Sequence, residues 1–164
     1  MKVVLIALIG LMVTGCIRTP PVPKSTPLQT REIQTREFST TDERMVMKAV
    51  LNVLQDEGFI AKNAVSDLGL ISATKETDVS SRSDQIWGTL FSGPEARWPM
   101  IDVVEATANV SPFGNSTRVR ISFHQRVVDN RGATMSTFEI TDAVIYRDFF
   151  SKVDKGVFIE KQRI

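Results

Sequence analysis

The chain has 164 residues, the size of one ordinary domain and enough to bury a hydrophobic core. Its 20 lysines and arginines nearly balance 19 aspartates and glutamates, which gives a formal net charge of +1. This balance supplies no general electrostatic reason to expect binding to nucleic acid or to an anionic membrane surface.

The first 16 residues, MKVVLIALIGLMVTGC, have the composition of a secretory signal. Lys2 supplies one positive charge and an apolar run over 3–13 follows it. This run is too short to cross a bilayer, because a transmembrane helix needs about 20 apolar residues. Small residues directly precede Cys16, the only cysteine of the chain. We therefore expect a cleaved signal peptide over 1–15.

The four residues Val13-Thr14-Gly15-Cys16 resemble the lipobox of bacterial lipoproteins. This resemblance implies that Cys16 carries a diacylglycerol and, after cleavage, an acylated amino group, so that the protein is anchored in a membrane. An aspartate after the cysteine tends to retain such proteins in the inner membrane, whereas this chain has Ile17 there. The resemblance thus implies an outer-membrane lipoprotein facing the periplasm. The alternative is an ordinary signal peptide that ends in an unmodified cysteine.

Residues 17–30 read IRTPPVPKSTPLQT and contain four prolines. Proline removes an amide donor and fixes φ, so we expect neither a helix nor a central strand here. We interpret 16–30 as the lipidated cysteine and an extended tether, which at about 3.1 Å per residue reaches roughly 40 Å. A proline-rich ligand for a partner is the alternative. Residues 31–164 then form a single domain.

The clearest pattern in this domain is a helix predicted over 41–57. Thr40 offers a capping hydroxyl with Glu43 three residues later, and Gly58 follows the helix end. Apolar residues recur within it at helical spacing, namely Val46, Met47, Val50, Leu51, Val53 and Leu54. A short strand is predicted before it, within 31–38.

After this helix, extended segments at 59–61 and 70–74 predict a hairpin that turns at 67–69. Residues 76–100 combine glycine and proline with aromatic side chains and predict a long loop with one helical turn at 85–91. We call 76–100 the aromatic loop, since it holds both tryptophans of the chain.

The second half of the domain has the alternation of β-structure. Apolar and polar residues alternate over 104–110 and again over 118–127, with a turn at 111–115 between them. A second turn at 129–132 and a further strand over 133–138 follow.

The chain closes with a second predicted helix, capped by Thr141 or Asp142. Its apolar stripe advances by steps of three and four through Ala143, Tyr146, Phe150, Val153 and Val157. Together the elements predict an α+β fold, a two-layer sandwich in which a mainly antiparallel meander sheet carries two helices on one face.

The element order, and the Gly58-Phe59 pair after the first helix, resemble helix-grip domains of accessory lipoproteins of the outer-membrane β-barrel assembly machinery. The resemblance covers 33–161. It implies the fold, and no functional residue is carried over from it.

The sequence lacks the common signatures of catalysis. His124 is its single histidine, and it contains no Gly-x-Ser-x-Gly motif, no Ser-x-x-Lys motif and no glycine-rich phosphate loop. We therefore predict no catalytic residue, no metal site and no cofactor. An envelope hydrolase is a third alternative that would require an acid–base pair in a cleft.

Two groups of residues are candidates for an interface. Trp87, Phe91 and Trp98 of the aromatic loop are typical interface anchors, although they would equally cover one end of the sheet if the loop folds back. The second group is the basic strand face, which consists of Arg118, Arg120, His124 and Arg126. This face suits an acidic partner, lipid phosphates or the glycan, and the alternative is a solvated face whose arginines pair with Glu105 and other acids.

These observations predict a non-enzymatic, lipid-anchored accessory subunit of a cell-envelope complex. Its predicted partners are the membrane, through Cys16, and an envelope protein, but no nucleic acid. The alternative is a carrier or sensor of a small apolar ligand or lipid. A cavity lined by Phe59, Phe123, Tyr146 and Phe150 would favour that alternative.

Replacing Cys16 with Ser tests the anchor. We expect the variant to remain an unlipidated or uncleaved precursor that no longer co-fractionates with the outer membrane, because serine has no thiol to carry the lipid. Membrane fractionation and the mass of the mature protein provide the measurement. Full processing and unchanged outer-membrane association of the variant would show that the lipobox interpretation is wrong.

Overall fold

The computed structural model describes residues 26–79 and 97–162. Within them the chain forms three helices, α1 Pro27–Ile33, α2 Glu43–Asp56 and α3 Ala143–Gln162. It also forms six strands, β1 Thr35–Phe38, β2 Ile60–Val65, β3 Leu70–Asp78, β4 Pro99–Phe113, β5 Ser116–Asp129 and β6 Thr134–Glu139. A 3-10 turn at Ser66–Leu68 joins β2 to β3.

The six described strands form one open antiparallel sheet in the order β1-β5-β4-β3-β2, and β6 also pairs with β5. Strand β5 is paired along both edges. Strand β4 pairs with its whole length on one edge. On the other edge, β1 pairs with residues 117–120 of β5 and β6 pairs with residues 124–128. The predicted α+β class, with a mainly antiparallel sheet and helices on one face, is confirmed.

The core lies between the sheet and the helices α2 and α3. Alternation along β5 directs Val119, Ile121 and Phe123 into this core. Arg118 and Arg120 therefore point to the opposite side, which we call the open face. The same alternation in β4 and β3 places polar residues on the open face, since cross-strand partners share a face.

Helix α2 is close to its prediction, but its cap differs. The Asp42 carboxylate, rather than the Thr40 hydroxyl, accepts the hydrogen bond from the Met45 N–H, at 2.9 Å. Asp42 has the advantage that its negative charge also meets the positive end of the helix. Gly58 follows the helix with φ of 85°, as expected for the residue that ends it.

Helix α1 corrects the predicted boundary between tether and domain. The sequence predicts an extended tether up to residue 30 and a strand within 31–38, but 27–33 are helical. Proline is compatible with the first turn of a helix, where its missing N–H has no partner to lose. Pro27 occupies that turn, and Thr26 and Gln29 form a capping box around it. The folded domain thus includes α1.

Two further predictions need correction. Strand β3 continues to Asp78 and β4 begins at Pro99, so the ends of the predicted aromatic loop belong to the sheet. In α3 the predicted stripe from Tyr146 onward is buried and Phe149 joins it, but Ala143 is exposed. The first three residues of α3, 143–145, are exposed, and the Asp142 carboxylate caps the helix by accepting from the Val144 N–H at 2.8 Å.

Replacing Val50 with Asp tests the packing of α2. Val50 has no exposed surface, so an unpaired carboxylate there costs several kcal/mol against a total stability of about 5–15 kcal/mol. We expect the variant to be unfolded in thermal melts followed by circular dichroism. Asn52→Asp introduces the same group at an exposed position of the same helix and should melt near the wild type. Equal melting of both variants would mean that the buried face of α2 is wrongly assigned.

Candidate functional site

The described part of the aromatic loop is attached to the fold. Trp87 and Phe91 lie outside the described residues, so their role stays a prediction. Trp98 is half-buried, and its backbone N–H donates to the Asn130 side-chain oxygen at 3.3 Å. Its carbonyl accepts from the Asn130 N–H at 3.2 Å. These bonds fix the start of β4 to the turn between β5 and β6.

A buried carboxylate organises the same turn. Asp129 accepts hydrogen bonds from the Arg131 N–H at 2.9 Å, from the Ala133 N–H at 2.8 Å and from the Arg97 guanidinium. Burial raises the pKa of Asp129, but these three donors and the charge of Arg97 lower it more, so that the pKa lies below its usual range. This carboxylate therefore stabilises the fold above its usual pKa, and the contribution is lost as the pH falls below that range.

The structure brings the four members of the basic strand face together on the open face, but two of them are neutralised. Arg118 forms an ion pair with Glu37 at 2.9 Å, and its guanidinium lies over the Phe113 ring. Arg126 pairs with Glu105 at 3.1 Å. Exposed pairs of this kind contribute at most about 1 kcal/mol. They match the alternative expectation of cross-strand ion pairs for these two arginines.

Arg120 and His124 are exposed, and neither forms an ion pair with a described residue. Arg120 lines a cleft of about 440 Å³ together with Arg31 of α1. The rest of its lining consists of Pro27, Thr30, Gln34, Glu139 and Thr141. We call this the tether-side cleft, because α1 begins within the last residues of the predicted tether.

A second cavity lies between α3 and the sheet, with a volume of about 270 Å³. We call it the helix–sheet groove. Its apolar lining consists of Phe59, Val104, Phe123, Ile140, Ile145 and Phe149. Its charged lining consists of Glu57, Asp148 and Lys152.

The Phe123 ring lies against the other two aromatic rings of the groove. The centroid of the Phe123 ring is 6.0 Å from that of Phe59 and 5.6 Å from that of Phe149. Phe59 reaches this position because Gly58 ends α2 immediately before it. Ile145 belongs to the exposed first turn of α3 and is itself 44% exposed. The groove therefore joins the core at its base and solvent at its mouth.

The charged rim of the groove joins the two helices. The Lys152 ammonium donates to Asp148 at 2.6 Å and to Glu57 at 2.7 Å. The hydrogen bonds to Asp148 and Glu57 raise the pKa of Lys152. Lys75 also reaches this corner, where its ammonium donates to the Glu57 carbonyl at 2.7 Å. The apolar interior is thus bordered by three charged side chains that are paired with one another.

A buried tyrosine separates the groove from the tether-side cleft. The Tyr146 hydroxyl donates to the Ile140 carbonyl at 2.8 Å and accepts from the Phe123 N–H at 3.2 Å. The Gln34 side-chain amide approaches the same hydroxyl at 3.4 Å. Burial raises the pKa of Tyr146 above its ordinary value. The hydroxyl completes the backbone bonding where β5 passes from one partner strand to the other.

Gln34 closes the same gap from the side of β1. Its carbonyl accepts from the Ile121 N–H at 2.9 Å, and its side-chain amide donates to Glu139 at 2.7 Å. We call Gln34 and Tyr146 together the seam. The sequence shows no signal for Gln34, since a glutamine in a short, largely polar segment is an ordinary surface residue by pattern.

No protein-family model and no curated protein sequence matches the chain. In the described residues, no helix is long and apolar enough to span a membrane. The same residues contain no group of three or more His, Cys, Asp and Glu side chains placed to hold a metal ion. The assignment of a site therefore depends on the groove and the cleft themselves.

Proposed function

We propose that this protein is a lipid-anchored, periplasm-facing accessory subunit of a cell-envelope complex, and that it binds an apolar side chain of a protein partner in the helix–sheet groove. The observation that carries the proposal is the apolar interior of the groove, which opens to solvent beside Ile145. The predicted anchor at Cys16 supplies the location, and the groove supplies the contact.

The surroundings of the groove support a protein contact. An apolar centre within a charged rim is the usual arrangement of an interface. Phe138 lies on the same face of the sheet as Val104 of the groove, with Gln125 between them, because Phe138 pairs with Gln125 and Gln125 pairs with Val104. Phe138 is 48% exposed, close to the value for Ile145. Exposed apolar surface of this kind commonly marks a contact site.

The size of the groove favours a side chain over an enclosed ligand. Pockets that enclose small molecules usually have volumes of about 300–1,000 Å³, and this groove is smaller and open. The carrier alternative keeps one specific observation in its favour, since Phe59 and Phe123 line the cavity as that alternative requires. Tyr146 and Phe150 instead lie in the core below it.

The test uses Ile145→Arg in the full-length protein. A photo-crosslinking amino acid replaces the exposed Phe138, and crosslinking is carried out in intact cells. We expect a distinct protein adduct that Ile145→Arg abolishes, because loss of an interface anchor commonly costs about 2 kcal/mol or more, roughly thirtyfold in affinity. The matched control is Val144→Arg, which adds the same charge on the same exposed turn without lining the groove.

Each outcome has a defined meaning. An adduct lost with Ile145→Arg and kept with Val144→Arg supports the proposal. An adduct of lipid mass supports the carrier alternative instead. Equal adducts in all three backgrounds, or no adduct in any of them, would overturn the groove as a contact site.

A further inference from the structure

We propose that the tether-side cleft is a phosphate-binding site built by Arg31 and Arg120. The two arginines come from different elements, since Arg31 lies in the last turn of α1 and Arg120 lies in β5. They are 89 positions apart in the chain, yet they line the same cleft. The cleft thus holds two guanidinium groups from separate parts of the fold.

The charges in the cleft are not balanced by its own residues. Neither Arg31 nor Arg120 forms an ion pair with a described residue, whereas Arg118 and Arg126 on the same face as Arg120 are both paired. Two unpaired like charges that line one concave surface favour an anion between them. The guanidinium fork matches the oxygens of phosphate.

One carboxylate, that of Glu139, also lines the cleft, and it is hydrogen-bonded to Gln34 rather than to either arginine. Glu139 accepts the hydrogen bond of the buried Gln34 amide at 2.7 Å and forms no ion pair within the described residues. The three side-chain charges still sum to one positive charge. Glu139 therefore lowers the affinity of the cleft for an anion without abolishing it. Removing its charge should raise this affinity, whereas removing the charge of either arginine should lower it.

The arrangement suits phosphate better than a carboxylate. A carboxylate has two coplanar oxygens, which one arginine fork satisfies. Here the residues that line the cleft carry donors on α1, on β5 and on Thr141 before α3. The Thr141 hydroxyl makes no hydrogen bond to another described residue. Donors in several directions match the tetrahedral oxygens of a phosphate group.

Two sources of that phosphate group fit the position of the cleft. Thr26 is ten positions after Cys16, and ten residues span at most about 35 Å. If the anchor at Cys16 is correct, as the proposed function assumes, the phosphates of lipid headgroups are within reach. The other source is free phosphate or a soluble phosphate ester.

The test is a titration of the mature protein in a phosphate-free neutral detergent. Inorganic phosphate is added, and the side-chain N–H signals of Arg31 and Arg120 are followed by NMR. We expect both signals to shift together and to saturate. We expect Arg31→Gln and Arg120→Gln each to weaken binding about tenfold or more, and Glu139→Gln to strengthen it about threefold. Arg44→Gln removes an exposed arginine of α2 that does not line the cleft, and it should change nothing.

A parallel titration with a short-chain phosphatidylglycerol distinguishes the two sources. Tighter binding of this lipid than of inorganic phosphate identifies a headgroup site, and the reverse order identifies a site for free phosphate. Absence of saturable shifts with both probes would overturn the proposal, as would equal weakening by Arg44→Gln. Ile145→Arg should leave phosphate binding unchanged, so failure here is separable from failure of the groove.

Discussion

The backbone of β5 imposes the constraint on which the rest of the structure depends. Its outer edge is divided between β1 and β6, so its amides between these two strands need other acceptors. The Gln34 carbonyl accepts from Ile121 and the Tyr146 hydroxyl accepts from Phe123. A buried donor left without a partner costs about 1–3 kcal/mol, so the seam makes this divided edge compatible with a closed core. Because Tyr146 belongs to α3, the same bond sets the helix against the sheet.

The seam also determines where the two candidate sites lie. Phe123 and Ile140, which the Tyr146 hydroxyl joins, line the helix–sheet groove. Gln34 and Glu139, which share a hydrogen bond, line the tether-side cleft. The groove is apolar because it opens from the core, whereas the cleft is charged because it opens beside the open face of the sheet. One packing solution therefore produces two surfaces of different chemistry.

The sequence was sufficient where a local pattern determines structure and insufficient where distant segments meet. Helical spacing predicted α2 and most of the buried stripe of α3, without Phe149, and alternation predicted the central strands. Proline content alone gave the wrong answer at 27–30, because Pro27 at the start of a helix has no hydrogen bond to lose. No local pattern places Arg31 and Arg120 in one cleft or bonds Gln34 to Tyr146, since these arrangements arise only when β1 joins the edge of β5. The ion pairs of Arg118 and Arg126 depend on the same cross-strand register.

Amide hydrogen exchange in the variant Tyr146→Phe tests most directly whether the seam holds these parts together. The change removes one hydroxyl and keeps the ring, so the core remains filled. We predict a loss of about 1–3 kcal/mol in stability and faster exchange at Phe123, beyond the global change. The amides of Ala64 and Ile71, in the distant β2–β3 pair, should change only by the global amount. Unchanged exchange at Phe123 together with wild-type stability would contradict the account.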